Sequence, residues 1–595
     1  MASLPALLRD HTNITVYADD ICLWTSSLRR DVIQRRLQGA LDTVGDRVKG
    51  SLETALDGVG VAYLCDRGLS VSPTKTVAMA FTRRSFLRFP PHVAGSPVHF
   101  ASSYRYLGII IHRGLTWSKQ LKYLSSKVNN IVSVLRRVSG MSSGPTCADL
   151  RSVHCSLVLG TLRYSLPILH GLSRASEREL LNLQARSLRV CLGVPKTTET
   201  VSVLAEARES PMPTLRDKET IRIYTRYLTR HPHHYLTDIA MECPSSAFGS
   251  CVQRLRTSIP SPSNMPSHPP PMWTLATPPV YSSIPGAFKK GDHPPVALLQ
   301  LALEHLNNVH SRRIAIYTDA SVSAGASTLA VVVPSENYEL ALKLPHETSS
   351  TEAELAAINE ALRLISTRPP NNWTVLTDSK AALQQILSSP CSKIVTDICS
   401  LALTTYSSLT TSGHSVWLQW VPSHIGLPGN TRADAAARGA HGAAATTMTT
   451  TIPLTPSACL IQIRRQTSRN TLAFSANAVA ANTFLHSIDP RMELTLSQRL
   501  SRQEESILHR LRLDVALTPL LLSKMDRRTS PMCPCCAAVA DIRHLLLHCK
   551  WYAGPRAALA SNLTSLGHRE NPWRRCWDLS GTLDNGQSAE PSCVT

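Results

Sequence analysis

Four acidic residues lie where predicted strands or helices begin or end within residues 308–445; they are Asp319, Glu354, Asp378 and Asp434. This segment alternates β-rich and helix-forming stretches, so one sheet could bring the four side chains together. Carboxylates gathered in this way supply the oxygen ligands that two divalent metal ions need for in-line cleavage of a phosphodiester. The sequence therefore predicts a metal-dependent site for phosphodiester hydrolysis.

Three strands are predicted at the start of this segment. The β-rich run 314–319 predicts a strand whose carboxyl end carries Asp319. Two further strands, 328–333 and 338–344, are separated by a turn at 334–337. The sheet is therefore expected to open as a meander of three strands.

Glu354 lies at the start of a predicted helix, where the Ser/Thr cluster 348–351 precedes strong helix formers. Glu352 is the competing acid, but it is rotated by roughly 200° around the helix and can form a capping box with Ser349. We assign Glu352 to the cap and Glu354 to the chemistry. Thr351 with Glu354 fits the same box, so a structural Glu354 is the alternative. The face expected to pack on the sheet contains Glu354, Ala357, Ile358, Ala361 and Ile365.

Asp378 joins a predicted strand, 373–378, to a helix at 379–387, and its structural alternative is a helix N-cap. Asp434 lies in 429–437, where Asn430 can cap a helix and Asp434 can instead favour the helix dipole. For either acid alone, a structural role explains the residue as well as a catalytic role does. All four in the order β-β-β-α-β-α favour catalysis.

These segments resemble the type 1 ribonuclease H family, in order and in spacing. The matching pieces are residues 317–321, 351–358, 376–379 and 420–434. The resemblance implies a five-stranded mixed sheet with flanking helices, in which the four acids hold two Mg²⁺ ions. The substrate it implies is an RNA/DNA hybrid cut on the RNA strand, which the 2′-hydroxyl distinguishes.

The same resemblance assigns roles outside the acids. His424, in a loop before Gly429, corresponds to the family's mobile histidine that assists proton transfer or product release. Ser379 and Asn430 are weaker candidates for contacts to the hybrid. A lone loop histidine is more often only solvated, so the assignment of His424 depends on its motif.

A second acidic pair, Asp19 and Asp20, lies at the tip of a predicted β-hairpin within residues 14–24. A surface turn explains such a pair without catalysis. Residues 17–20 resemble the Tyr-Ala-Asp-Asp motif of reverse transcriptases. The segments 68–76, 77–81 and 103–109 follow in the order of non-LTR retrotransposon reverse transcriptases. Because few residues precede Tyr17, we expect a palm remnant without the upstream aspartate and without polymerase activity.

A set of four soft ligands occurs near the carboxyl end: Cys533, Cys536, His544 and Cys549. Their spacing, C-x₂-C-x₇-H-x₄-C, suits one tetrahedral structural Zn²⁺. Cys535 and His548 are rival ligands, and free thiols are the structural alternative. The pattern resembles the Cys/His element that follows the ribonuclease H region in non-LTR retrotransposon open reading frames.

The remaining chain is predicted as segments that flank these sites. In order they are a partial reverse transcriptase palm (1–125), a helical thumb or connection (126–255), a Pro-rich linker (256–300), the ribonuclease H-like domain (308–445), a basic helical region (446–530), the zinc element (531–560) and a tail (561–595). We therefore predict a multidomain α/β chain.

Composition agrees with a nucleic-acid partner, because the formal net charge is +20. Sixteen cysteines with a single cluster favour a reducing compartment. The absence of a long apolar run predicts a soluble, intracellular protein without membrane contact, and no small-molecule cofactor is expected. The predicted function is hybrid-directed ribonuclease activity in a truncated non-LTR retrotransposon protein. The alternatives are a reverse transcriptase and an inactive nucleic-acid-binding relic.

Overall fold

The computed structural model describes residues 12–17, 20–27, 29–49, 74–81, 90–93, 96–140, 144–230, 235–256, 275–286, 293–323, 325–388, 397–442, 452, 455–481, 500–525 and 529–565. The chain divides into two units. The first comprises Met1–Ser165 with Leu172–Cys191, and the second comprises Leu166–Gly171 with Leu192–Thr595.

The first unit combines short antiparallel strand pairs with helices. Its strands are β1 (Thr12–Tyr17), β2 (Asp20–Thr25), β3 (His92–Val93), β4 (Ser96–Pro97), β5 (Ser103–Tyr106) and β6 (Ile109–His112). Its helices are α1 (Arg30–Lys49), α2 (Ser118–Val138), α3 (Cys147–Val153), a π-helical segment His154–Leu159, α4 (Gly160–Arg163) and α5 (Arg174–Leu192). β1 pairs with β2, β3 with β4, and β5 with β6.

The predicted hairpin at 14–24 is present, with Tyr17 opposite Asp20. Asp19 lies outside the described residues, and only the backbone of Asp20 is described. The predicted strand 77–81 is reduced to one bridge between Ala78 and Phe100. The palm and thumb assignments therefore stay predictions.

The second unit begins with helices α6 (Thr200–Glu206), α7 (Met212–Arg230), α8 (Tyr235–Glu242) and α9 (Ala247–Arg256). A six-stranded sheet follows, with strands β7 (Val280–Tyr281), β8 (Ile314–Ser323), β9 (Ala326–Val333), β10 (Tyr338–Lys343), β11 (Asn372–Thr377) and β12 (Ser415–Trp420). The spatial order is β10-β9-β8-β11-β12-β7. The pairs β10–β9 and β9–β8 are antiparallel, whereas β11, β12 and β7 continue the sheet in parallel.

Helices cover both faces of this sheet. They are α10 (Pro295–His310), α11 (Ser350–Ser366), α12 (Lys380–Ser388), α13 (Asp397–Thr411) and α14 (Pro428–Gly439). Successive strand residues point to opposite faces: Ile316 joins the core cluster that contains Ile358 and Leu403, and Tyr317 joins the cluster that contains Leu298 and Ala433. The sheet is therefore a central layer buried on both sides.

Two expectations about the sheet were wrong. The sheet has six strands rather than five, because Val280 and Tyr281, in the predicted linker, pair with Leu418 and Gln419 of β12. β8 does not end at Asp319 but continues through four more residues, since it forms a hairpin with β9 up to Ser323. Its parallel pairing with β11 stops at Thr318.

The chain continues with α15 (Pro456–Ala481), α16 (Arg502–Arg512), α17 (Pro519–Met525) and α18 (Ala553–Ser565). A π-helical turn, His544–His548, and a 3₁₀ turn, Lys550–Tyr552, precede α18. None of the helices in the described part of the chain combines the length and apolar character needed to cross a membrane.

Helices from before and after the sheet pack together in one layer. Ile463 of α15 lies in a buried cluster with Ile221 and Tyr224 of α7. The buried Glu206 carboxylate, at the end of α6, accepts hydrogen bonds from Arg512 Nε at 2.8 Å and is 2.7 Å from His509 Nδ1. Burial opposes ionisation of Glu206, but Arg512 and His509 lower its pKa to about 2. The region predicted as a separate basic helical segment thus shares its interior with the predicted connection.

Candidate active site and Cys/His cluster

Three of the four predicted acids meet at one edge of the sheet. Asp319, Glu354 and Asp378 each offer a carboxylate oxygen, and these oxygens lie within 4.8 Å of one another. Asp319 and Asp378 follow Thr318 and Thr377, the last residue pair of the parallel pairing between β8 and β11. The strand register therefore places both acids side by side where the pairing of β8 with β11 ends. Helix α11, which packs on one face of the sheet, supplies Glu354.

The start of α11 fixes the orientation of Glu354. Ser349 is the N-cap, and its side chain and that of Glu352 form the predicted capping box. Thr351 therefore does not cap this helix, and Glu354 is free of that role. Glu352 is also buried, near Cys459 of α15, where burial and then the Glu352 charge raise the pKa of the Cys459 thiol to about 12.

Burial and mutual repulsion oppose ionisation of the cluster. Burial and the nearby Asp378 raise the pKa of Asp319 to about 7, although Arg438 counteracts them. Burial, Asp319 and Asp378 raise the pKa of Glu354 well above its usual value. Such a cluster requires bound protons or a cation, since buried like charges are mutually destabilising.

The donor set fits a hard divalent cation. All three side chains offer oxygen, and Glu354 Oε2 is buried without a hydrogen-bond partner among the described residues. Oxygens bound to one Mg²⁺ lie about 3–4 Å apart, so only a small closure of the cluster is needed. These residues can hold Mg²⁺.

Asp434, the fourth predicted acid, does not belong to this group. It lies in the second turn of α14 and is paired with Arg438, whose Nε donates to Oδ1 at 2.7 Å. His424 Nδ1 is 3.6 Å from Asp434 Oδ2. The structure thus places His424 beside Asp434 and gives that carboxylate a cationic partner from its own helix.

The loop before α14 has two unusual positions. His424 adopts a left-handed backbone with φ of 55° and leaves 65% of its side chain exposed. Gly429 lies so close to the Tyr317 ring that a Cβ atom there would overlap it. The loop is therefore anchored against β8 while the imidazole stays accessible.

Ser379 and Asn430 are the weaker candidates for contacts to the hybrid, and the caps of the helices beside them differ from those expected. Ser379 Oγ accepts a hydrogen bond from Ala382 N at 3.3 Å, so Ser379 caps α12 and Asp378 does not have to. Asn430 does not cap α14, because that helix begins at Pro428 after Leu427. Asn430 is buried, and its Oδ1 has no hydrogen-bond partner among the described residues.

Three neighbours of the acids were not predicted from the sequence. Trp420 Nε1 donates to the Asp378 carbonyl at 3.1 Å, and Lys380 Nζ lies 3.8 Å from the centre of the Trp420 ring. Arg438 follows Asp434 by four residues, a spacing that predicts an ion pair on any helix. The other two contacts join residues distant in sequence, and no local pattern indicates them.

The Cys/His cluster brings together the four predicted ligands, Cys533, Cys536, His544 and Cys549, with ligand atoms within 4.8 Å of one another. Cys549 Sγ is 3.7 Å from Cys533 Sγ and 4.0 Å from Cys536 Sγ. Sulfurs on one tetrahedral Zn²⁺ lie about 3.8 Å apart, so the spacing fits that ion.

Hydrogen bonds favour a thiolate at Cys533, whereas burial raises the pKa of Cys549. A hydrogen bond with His544 is the main cause that lowers the pKa of Cys533 to about 6. The Lys550 backbone N–H donates to Cys536 Sγ at 3.4 Å. The rivals Cys535 and His548 are exposed and lie outside the group.

The segment that contains the carboxylate site is also the segment that matches a known family. Residues 311–441 match the ribonuclease H family. The matched residues include the strands β8 to β12 of the mixed sheet and most of the helices that cover it.

One relative is a 115 kDa protein of the type-1 retrotransposable element R1DM of Drosophila melanogaster, 25% identical over 200 residues. That match covers 33% of this chain and 18% of the relative, so the chain spans less than a fifth of it.

Solved structures similar to the chain include LC11-RNase H1 in complex with an RNA/DNA hybrid, at 18% identity. The match covers 21% of this chain and 95% of the LC11-RNase H1 chain, with a TM-score of 0.18. RNase H1 from Halobacterium salinarum NRC-1 is 20% identical. That match covers 22% of this chain and 97% of the Halobacterium salinarum chain, with a TM-score of 0.18.

Proposed function

We propose that this chain hydrolyses the RNA strand of RNA/DNA hybrids with divalent metal ions. The observation that carries the proposal is the convergence of Asp319, Glu354 and Asp378 at one sheet edge, within a segment that matches the ribonuclease H family. Buried carboxylates with raised pKa values are costly to a fold, so a cluster of three favours a catalytic use.

Two Mg²⁺ ions are the proposed cofactors. Asp319, Glu354 and Asp378 would hold one ion, and Asp434 would join them in holding the second. The ions supply Lewis acidity for water attack and charge neutralisation on the leaving oxygen.

The chain's own residues prepare the site. The Ala320 N–H and the Thr377 side chain hydrogen-bond to Glu354 and counteract the rise of its pKa. Trp420 holds the Asp378 backbone. His424, exposed beside Asp434, is placed to carry a proton to or from solvent at its imidazole. Asn430 and Ser379 remain candidates for contacts to the hybrid.

We also propose that the chain is part of a non-LTR retrotransposon protein, supported by its similarity to the R1DM protein. Residues 1–125 would be part of a reverse transcriptase palm with Asp19 and Asp20 as its carboxylates, and 126–255 its thumb or connection.

A labelled RNA strand annealed to DNA tests the nuclease. With Mg²⁺ the full chain should cleave it, and Asp378→Asn should lower the rate by about 100-fold or more, since losing even an outer-shell partner of a metal costs 10–100-fold. Asp238→Asn, an exposed acid on α8, should leave the rate unchanged. Cleavage at equal rates by wild type and Asp378→Asn would reject the assignment. Hybrid binding without cleavage in Mg²⁺ or Mn²⁺ would favour the binding relic instead.

The Cys/His cluster, we propose, holds one structural Zn²⁺. Its sulfur spacing and the thiolate character of Cys533 support this assignment. The purified chain should release about one Zn²⁺ per molecule on thiol modification, and Cys549→Ser should release little. Cys243→Ser, at an exposed thiol outside the cluster, should release as much Zn²⁺ as wild type. A zinc-free preparation whose residues 531–560 exchange amide hydrogens as slowly as the loaded protein would contradict a structural role.

A further inference from the structure

Helix α15 lies beyond residues 311–441, the segment that matches the ribonuclease H family, yet it contacts the start of α11, the helix that carries Glu354. Ile452, shortly before α15, lies in the core cluster that also contains Ile358 of α11. Arg465 of α15 reaches the loop that joins β10 to α11. These contacts come from a part of the chain that the family match does not include.

Arg465 forms an ion pair with both carboxylate oxygens of Glu347. Arg465 Nη2 donates to Glu347 Oε1 at 2.9 Å, and Nη1 lies 2.7 Å from Oε2. The Glu347 side chain is 7% exposed, whereas that of Arg465 is 28% exposed. Among the described residues, no other cation lies within ion-pair distance of Glu347. The carboxylate therefore depends on Arg465, while the guanidinium can still reach water.

The loop held by this ion pair leads directly into the cap of α11. Thr348 N donates to Ser327 Oγ at 2.9 Å, and the N-cap residue Ser349 follows. The first N–H groups of a helix have no partners inside the helix, so the position of its first turn depends on groups before and beside it. Glu354 lies in the second turn of α11. A shift of this loop would therefore move the Glu354 carboxylate relative to the other two acids.

The same guanidinium also lies against the turn between β8 and β9. Arg465 Nη1 is 3.3 Å from the position that a Cβ atom at Gly325 would occupy. Gly325 has φ of 109°, a conformation that favours glycine, and its missing side chain leaves room for the guanidinium. Because β8 carries Asp319, Arg465 contacts a connection of each element that supplies Asp319 or Glu354.

We propose that Arg465 is a positioning residue for the metal site and acts through Glu347 and the start of α11; this inference rests on the proposed function. Removing Arg465 leaves the buried Glu347 carboxylate without its cation, and an unpaired buried charge favours movement of the loop toward water. Such movement would loosen the first turn of α11 and carry Glu354 away from Asp319 and Asp378. The expected result is weaker binding of Mg²⁺.

A role limited to fastening α15 to the sheet would give a different result. Loss of the ion pair would then lower the free energy of unfolding by the same amount in EDTA and in Mg²⁺, and the Mg²⁺ dissociation constant would not change. A positioning role adds a loss that appears only with Mg²⁺, because stabilisation by a bound ion depends on its concentration relative to the dissociation constant. The metal dependence of stability therefore separates the two roles.

The Mg²⁺ dissociation constant of the full chain tests the proposal. It is obtained by calorimetry, from the free energy of unfolding of the six-stranded sheet domain across a Mg²⁺ titration. Arg465→Gln should raise this constant by about 10-fold, the lower end of the effect of losing an outer-shell partner of a metal. The Mg²⁺ concentration that half-saturates hybrid cleavage should rise by a similar factor, with a maximal rate close to that of wild type, because saturating metal draws Glu354 back into place.

Two further variants identify the cause of the effect. Arg465→Gln combined with Glu347→Gln buries no unpaired charge, so it should recover about half or more of the loss in log affinity. Arg464→Gln removes the same charge from the adjacent, exposed position of α15 and should leave the dissociation constant unchanged. If Arg465→Gln does not fold, Arg465→Lys tests the same contact. A single ammonium cannot span both carboxylate oxygens as the guanidinium does, so the constant should still rise.

An unchanged Mg²⁺ dissociation constant in the Arg465 variant, or an equal change in Arg464→Gln, would overturn the proposal. A double variant that binds Mg²⁺ as weakly as Arg465→Gln would also overturn it, because the loss would then not come from the unpaired carboxylate. These measurements need no cleavage. A wild type that binds Mg²⁺ without cutting the hybrid therefore rejects the proposed nuclease and leaves the test of Arg465 intact, whereas a wild type that binds no Mg²⁺ rejects both.

Discussion

The carboxylate cluster should make the metal-free protein less stable as pH rises. The pKa of Asp319 is raised from 3.8 to about 7 in the folded protein. Between these values the folded state holds a proton that the unfolded state has lost, so the free energy of unfolding falls with pH. Three pH units at 1.36 kcal/mol each give a penalty of about 4 kcal/mol above pH 7. Below about pH 4 the penalty is absent.

Asp319→Asn removes this charge at nearly constant volume. In EDTA at about pH 8 it should raise the free energy of unfolding by up to about 4 kcal/mol. For the domain formed by the six-stranded sheet and its helices, this corresponds to a rise of roughly 10 °C in the midpoint temperature of unfolding. Near pH 4 the effect should vanish. Calorimetry of the full chain measures it, and the unfolding transition of the six-stranded sheet domain is identified as the one that Mg²⁺ shifts in the wild type.

Glu304→Gln, an exposed acid on α10, is the matched control and should leave the midpoint unchanged at both pH values. The reasoning fails if Asp319→Asn destabilises the metal-free domain at pH 8, or if its effect is the same at pH 4 and pH 8. Saturating Mg²⁺ should reverse the order, because it stabilises the intact cluster more than the asparagine variant.

Two further predictions concern α14. Gly429→Ala should lower the free energy of unfolding of the six-stranded sheet domain by about 1–3 kcal/mol, because its methyl group overlaps the Tyr317 ring. Gly439→Ala, with open space around it, should be neutral or slightly stabilising, and equal effects of the two substitutions would contradict the packing argument. Arg438→Gln should raise the pKa of Asp319 further, since Arg438 lowers it, so the pH at which Mg²⁺ begins to stabilise the domain moves upward. An unchanged pH midpoint, as expected for the control Arg432→Gln, would show that Arg438 does not act on the cluster.

Local patterns in the sequence predicted the elements that carry the acids. The Ser349–Glu352 capping box fixed the start of α11, and the apolar face beginning at Glu354 showed which side meets the sheet. Both signals involve residues within one or two helical turns, so they need no knowledge of the fold.

Long-range pairings were not predictable in the same way. Val280 and Tyr281 form a strand only because the edge of β12 accepts them, and the surrounding prolines indicated a linker instead. Residues 206 and 509 are 303 positions apart, and no periodicity connects them. The distance between Asp434 and the other acids also depends on how α14 packs against β8, which a motif does not specify.

The shared interior of α6, α7, α15 and α16 has a practical consequence for dividing the chain. A fragment stopped after residue 445 would strip Arg512 and His509 from the Glu206 carboxylate, and an unpaired buried charge costs about 3–5 kcal/mol. The chain leaves this helical layer before the sheet and returns to it after the sheet. The sheet and its helices therefore form an insertion that a short linker could replace. A fragment chosen for expression should therefore contain α6, α7, α15 and α16 together.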